Sequence, residues 1–326
     1  MRQAGLAWGL TAALAYATMN VCLRAAAVQV DPLAGALVRS VPVSLLGWLL
    51  VGIERRRGGA RWPGWRALLP LVLTGLMFNV SGNGSFQLAL ALGGLALTVP
   101  VSQSAVLWGG ALGGRWLMGE MLTRRGAAGL LLLVVALPLL SLGVQGGAPG
   151  PIWLAALAAA LAGLSYGAGN AILRHTVLRH RLGQGLALAT VASSGLVSLL
   201  ALVLAGPGPA ALTGLETGAL GWLVVAGLFN AIALGSLARA LSLLPVARVN
   251  ALSTLQTALS AAGGVAVFAE PLTGALLLGL ALSLTGVLLA QHGRGKEPRR
   301  PWAAARICRR WRCAGSTGDR SQRMRR

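Results

Sequence analysis

Tyr16–Arg24 reads YATMNVCLR, and Tyr166–Arg174 reads YGAGNAILR. Tyr, Asn, Leu and Arg recur at a constant offset of 150 residues. At the same offset, Gly119-Glu120-Met121-Leu122-Thr123 pairs with Ala269-Glu270-Pro271-Leu272-Thr273. Phe78-Asn79 pairs with Phe229-Asn230, and Ala89-Leu90 with Ala240-Leu241, at an offset of 151. Four ordered matches in a Leu- and Ala-rich chain identify an internal repeat. The 326 residues divide into two halves, 4–145 and 152–292, followed by a basic remainder, 293–326.

The composition says where such halves can fold. Hydrophobic residues make up 56% and charged residues 11% of the chain, with a mean hydropathy of +0.72. A soluble domain carries about 25% charge, so this chain lacks the groups to cover a water-facing surface. The apolar content excludes intrinsic disorder, and three cysteines exclude a disulfide scaffold. A polytopic membrane protein remains. Crossing the hydrocarbon core takes about 20 apolar residues. Ten runs qualify: 4–25, 33–53, 67–91, 95–118, 126–145, 152–173, 184–205, 219–242, 246–268 and 274–292. They are long and continuous, without the alternation of a membrane barrel, so helices are expected.

The net charge of +21 would suit a nucleic-acid partner, but its placement argues against one. Arg294–Arg326 holds 12 of the 28 basic residues and two acids. This tail is expected to be a disordered cytoplasmic extension touching anionic lipid headgroups. Cys308 and Cys313 lack zinc-ligand spacing. Most other arginines follow even-numbered spans: Arg55, Arg56, Arg57, Arg61 and Arg66; Arg124 and Arg125; Arg174, Arg179 and Arg181; Arg239 and Arg248. The alternate loops hold little beyond Asp31, Glu216 and Glu270. By the positive-inside rule both termini are cytoplasmic. Five spans per half is an odd number, so the halves enter the membrane in opposite orientations. The expected fold is an all-α membrane protein of ten transmembrane helices, arranged as two inverted-topology five-helix repeats. The first span has a counterpart in the sixth, so it is expected to be retained rather than cleaved as a signal peptide.

These residues resemble a known family. Five-span halves, an aromatic residue eight positions before a base in the first span, and a G-E-x-L-T-like motif after the fourth are similar to the drug/metabolite transporter superfamily. The likeness is to its EamA-type ten-span members and covers about residues 4–292. Tyr16 and Tyr166 stand where the family often has Trp, and Arg24 and Arg174 where it often has Lys. Leu37-Val38-Arg39 resembles its Leu-x-Arg, while Ala269 and Pro271 depart from the second G-E-x-L-T copy. The resemblance implies export or exchange of amino acids, metabolites or drug-like compounds. Small multidrug members of the superfamily use a first-span carboxylate; positions 4–25 contain no acid, so that mechanism does not carry over.

Polar groups inside spans are costly unless they are paired or face a cavity. Span three holds Asn79, Ser81, Asn83, Ser85 and Gln87, with Asn79, Asn83 and Gln87 on one α-helical face. Candidate substrate-binding residues are Asn79, Asn83, Gln103, Asn230 and Gln256 as hydrogen-bonding groups. Tyr16, Trp108 and Tyr166 are candidates for stacking, or else for interface belts. Arg39 can bind an anionic group, or pair with backbone or a headgroup by snorkelling. Glu120 and Glu270, near span ends, read as structural. No Ser/His/Asp set, metal cluster or phosphate-binding lysine loop is present, so no enzyme activity and no cofactor is expected. The expected function is a secondary transporter for a small organic metabolite, amino-acid-like or drug-like. It would act as an exporter in the cell membrane, as monomer or homodimer, by alternating access. The alternative is a non-transporting scaffold or receptor acting through its basic tail.

Overall fold

The computed structural model describes residues 2–56, 64–119, 123–143, 150–243, 246–271 and 273–292. The basic tail, Arg57, Arg61 and Glu120 lie outside the described residues. Every element is helical, and no strand occurs among the described residues. In chain order these are α1 (Arg2–Ala27), α2 (Pro32–Arg56), α3 (Trp65–Leu76), a π-helical stretch (Met77–Gly84), α4 (Ser85–Met118), α5 (Arg124–Gly143) and α6 (Ile152–His180). Then follow α7 (Gln184–Ala205), the short α8 (Ala210–Thr213), α9 (Thr217–Leu243), α10 (Val246–Phe268) and α11 (Gly274–His292). Six helical segments are long and apolar enough to cross a membrane, and Leu255–Phe268 and Gly274–Leu289 are shorter apolar helices. Large apolar side chains such as Leu45, Leu49, Leu131 and Leu178 face outward, a surface suited to lipid rather than water.

One of the six, Trp65–Met118, runs for 54 residues. At 1.5 Å per residue it would be about 80 Å long, far more than the roughly 30 Å of a hydrocarbon core. Gly94 interrupts it with φ 74° and ψ −174°, a backbone conformation that belongs to glycine. The boundary expected between 91 and 95 therefore falls on one residue, without an intervening loop.

An interrupted helix leaves N–H groups free on one side and carbonyls on the other. Here both are met. Leu95 N–H and Ala96 N–H donate to Glu270 Oε1 and Oε2, each at 2.8 Å. Arg24 Nη1 donates to Leu90 O at 2.9 Å, before the break. Arg24 Nε lies 3.4 Å from Glu270 Oε1, joining the two caps by an ion pair. The signs match the helix dipole, acid at an N-terminus and base at a C-terminus. Of the two acids read as structural in the sequence, Glu270 is thus tied to the break in α4. The threonines of the same motif cap the next helices: Gly126 N–H donates to Thr123 Oγ1, and Leu276 N–H to Thr273 Oγ1, both at 3.2 Å. Asp31 Oδ1 caps α2 by accepting from Leu33 and Ala34 N–H, with Pro32 in the first helical position.

The two halves interleave within one unit, Met1–Arg294. α1 packs on α9 and α10; α6 packs on α3 and α4; α2 pairs with α7, and α5 with α11. The seam between α4 and α6 is close because glycines line it. A Cβ at Gly109 would sit 2.5 Å from Leu164 O, and one at Gly167 would sit 2.6 Å from Gly110 N.

A Cβ at Gly94 would collide with the Glu270 carboxylate, whereas at Gly119 (φ 66°) it meets nothing within 4 Å. Gly119→Ala is therefore expected to cost about 1 kcal/mol, the price of left-handed backbone alone. Gly94→Ala should cost about 3 kcal/mol or more, because it also displaces a buried cap and its ion pair. Thermal unfolding of the two purified variants measures the difference.

Candidate functional site

A cavity of about 340 Å³ opens among α1, α2, the π-helical stretch, α4, α6, α7, α9 and α10. Neither α5 nor α11 reaches it. Eight of the nine candidate residues line it: Tyr16, Arg39, Asn79, Asn83, Gln103, Tyr166, Asn230 and Gln256. Trp108 does not. It packs beside Leu130, Leu133 and Val287, on the side of α4 that faces α5 and α11. Its position inside an apolar run gave no means to distinguish those two sides.

The π-helical stretch corrects the expected alignment of Asn79, Asn83 and Gln87. Asn79 and Asn83 stay together, and Asn83 Nδ2 donates to Asn79 Oδ1 at 2.9 Å. Gln87 turns away from the cavity, is fully buried, and donates to Leu23 O of α1 at 3.4 Å. A π turn closes i→i+5 bonds, so a face extrapolated at α-helical spacing drifts after it.

Arg39 organises the polar wall. It is 3% exposed. Its Nη2 donates to Asn83 Oδ1, and to Tyr166 OH at 3.2 Å. Tyr166 OH donates in turn to Asn83 Oδ1 at 2.6 Å. Behind these, Ser40 Oγ donates to Asn79 Oδ1 at 2.9 Å and accepts from Asn83 Nδ2 at 3.3 Å. The Phe86 ring centroid lies 5.7 Å from the guanidinium carbon, a cation–π arrangement. Phe78 meets Tyr166 edge to face, centroids 6.0 Å apart. Arg39 Nε and Nη1 are buried and have no hydrogen-bond partner. Among the described residues, no Asp or Glu lines the cavity. A buried cation without a counter-ion costs several kcal/mol, which the neutral dipoles of Asn83 and Tyr166 offset only in part.

The lining includes two residues that reasoning from the sequence passed over as site residues, Asn20 and Asn170. Their signal was present, since both belong to the repeated Tyr-x3-Asn pattern. The structure treats the pair differently. Asn20 is 1% exposed and donates to Ser260 Oγ at 2.9 Å. Asn170 is exposed.

No family model matches the sequence, and no curated protein does. Among solved structures, 23 chains resemble it. One, described as "Crystal structure of protein", aligns with TM-score 0.50 and 20% identity over 89% of this chain and 97% of its own length. That likeness concerns the fold alone.

Asn83 is the acceptor shared by Arg39 and Tyr166. Asn83→Ala is therefore expected to destabilise the protein by about 1–3 kcal/mol, the cost of a buried donor losing its partner. Trp108→Phe, a smaller ring in an apolar seam, should cost less than about 1.5 kcal/mol. Thermal unfolding again reads both.

Proposed function

We propose that this chain is a secondary transporter that moves a small organic metabolite across the cell membrane by alternating access. The reading has ten spans: α1, α2, the two segments of Trp65–Met118 on either side of Gly94, α5, α6, α7, α9, α10 and α11. Both termini are cytoplasmic, and the halves form inverted repeats of the EamA type. The exchange of partners between halves supports this arrangement. α1 meets the eighth and ninth spans as α6 meets the third and fourth, and the second and fifth spans each pair with their own counterparts.

One observation carries the functional reading. Asn20 and Asn170 occupy equivalent places in the repeat and line one cavity, yet the first is sealed and the second exposed. The neighbouring arginines follow suit. The Arg24 side chain is 11% exposed and paired with Glu270, while Arg174 is exposed. Two sequence-equivalent gates in different states are what one end-state of an alternating-access carrier requires. In the proposed topology the open side is cytoplasmic and the Arg24–Glu270 clasp closes the outer side. Exchange of these roles would carry substrate outward, in the direction that the family resemblance implies.

The test is counterflow in proteoliposomes against a panel of amino acids, organic acids and drug-like compounds. Saturable exchange is expected for at least one class, and no flux for any would overturn the proposal. Asn230→Ala and Gln256→Ala should each lower exchange about tenfold, the scale of one lost hydrogen bond, while Trp108→Phe leaves it unchanged. Deleting 294–326 should also leave exchange intact, whereas a scaffold acting through the tail would show no exchange with the tail or without it.

A further inference from the structure

The cavity is chemically lopsided, and the asymmetry points to its ligand. Among the described residues, Arg39 is the one charged residue in its lining. Of the described acids, Asp31 caps α2, Glu54 Oε1 accepts from Gly185 N–H at 2.8 Å, Glu270 holds Arg24, and Glu216 is exposed ahead of α9, outside the lining. At the repeat offset of 150, the counterpart of Arg39 is Ala189, which is buried against Gly47 outside the cavity lining. Beside the polar network the lining also carries an aliphatic stretch, with Leu188, Val191 and Ala192 from α7 and Leu234 and Leu237 from α9. Three of the five guanidinium N–H donors, one on Nε and two on Nη1, lack an acceptor.

We infer that the ligand is a small organic anion with one carboxylate and an apolar body. The carboxylate approaches the Arg39 guanidinium, and the body lies against the α7–α9 wall. A charge-assisted bond to carboxylate is the strongest interaction this wall can offer, and it supplies the counter-ion that the fold omits. An ammonium group would find neutral acceptors and a positive field, so a zwitterion gains nothing over the matching acid and a cation is repelled. With a volume of about 340 Å³ the cavity is of small-molecule size. The inference names a substrate class for the proposed transporter and rests on that reading for transport, though not for binding.

The test is binding to the full chain in lipid nanodiscs, by calorimetry and by thermal stabilisation, with four matched probes: 3-phenylpropionate, 3-phenylpropionamide, 3-phenylpropylamine and phenylalanine. Expected are binding of the acid, at least about tenfold weaker binding of the amide and the amine, and no advantage for phenylalanine. Arg39→Gln should abolish the preference for acid over amide, and Arg39→Lys should retain part of it. Should Arg39→Gln fail to fold, the ranking on the native protein decides alone. Amide or amine binding that equals the acid, tighter binding of phenylalanine, or binding of none of the four would overturn the inference. Acid binding without counterflow would overturn transport and leave the anion site standing. Counterflow of a cation or zwitterion without acid binding would do the reverse.

Discussion

The carboxylate of Glu270 supports the arrangement of the whole molecule. A helix as long as Trp65–Met118 must break, and a buried break exposes backbone groups that have no water to bind. Gly94 provides the torsion, Glu270 takes the orphaned N–H groups of Leu95 and Ala96, and Arg24 takes the carbonyl of Leu90. Each of these groups would be expensive alone. Together they satisfy one another, and they join three distant parts of the chain: the end of α1, the middle of α4 and the turn after α10.

The two buried arginines of the first half show how one side chain is put to two uses. Arg24 has a carboxylate, a carbonyl and the Phe268 ring around it. Arg39 has amide and phenol oxygens and the Phe86 ring, but no acid. Pairing neutralises the first and makes it a strut. The second keeps an uncompensated charge next to a cavity, which is the condition for recognising something negative. Burial is similar for the two, so the difference lies in the partners that the fold supplies.

Much of this was legible in the chain. The Tyr-x3-Asn-x3-Arg pattern fell on two helices that line one cavity, α1 and α6, and Asn79, Asn83, Asn230 and Gln256 were recognisable because primary amides cannot easily hide in apolar helices. Trp108 and Gln87 were misread for geometric reasons. An aromatic residue in an apolar run carries no sign of which neighbour it faces, and the π-helical stretch rotates everything after it relative to an α-helical projection. Asn20 and Asn170 were quoted as repeat markers, but their repetition was read as architecture and not as a site.

The sequence by itself determined an all-helical chain of long apolar segments, because charge scarcity and unbroken hydrophobic runs leave no soluble alternative. It also carries the recurring motifs at an offset of 150 to 151 residues, from which the proposed equivalence of residues is drawn. Only the tertiary structure decided that equivalent residues are unequally placed: Asn20 sealed and Asn170 exposed, Arg39 against the cavity and Ala189 against Gly47. A repeat fixes what two halves share. Which of two similar packings each half adopts depends on contacts between residues far apart in the chain, and these exist only once the helices have closed on one another.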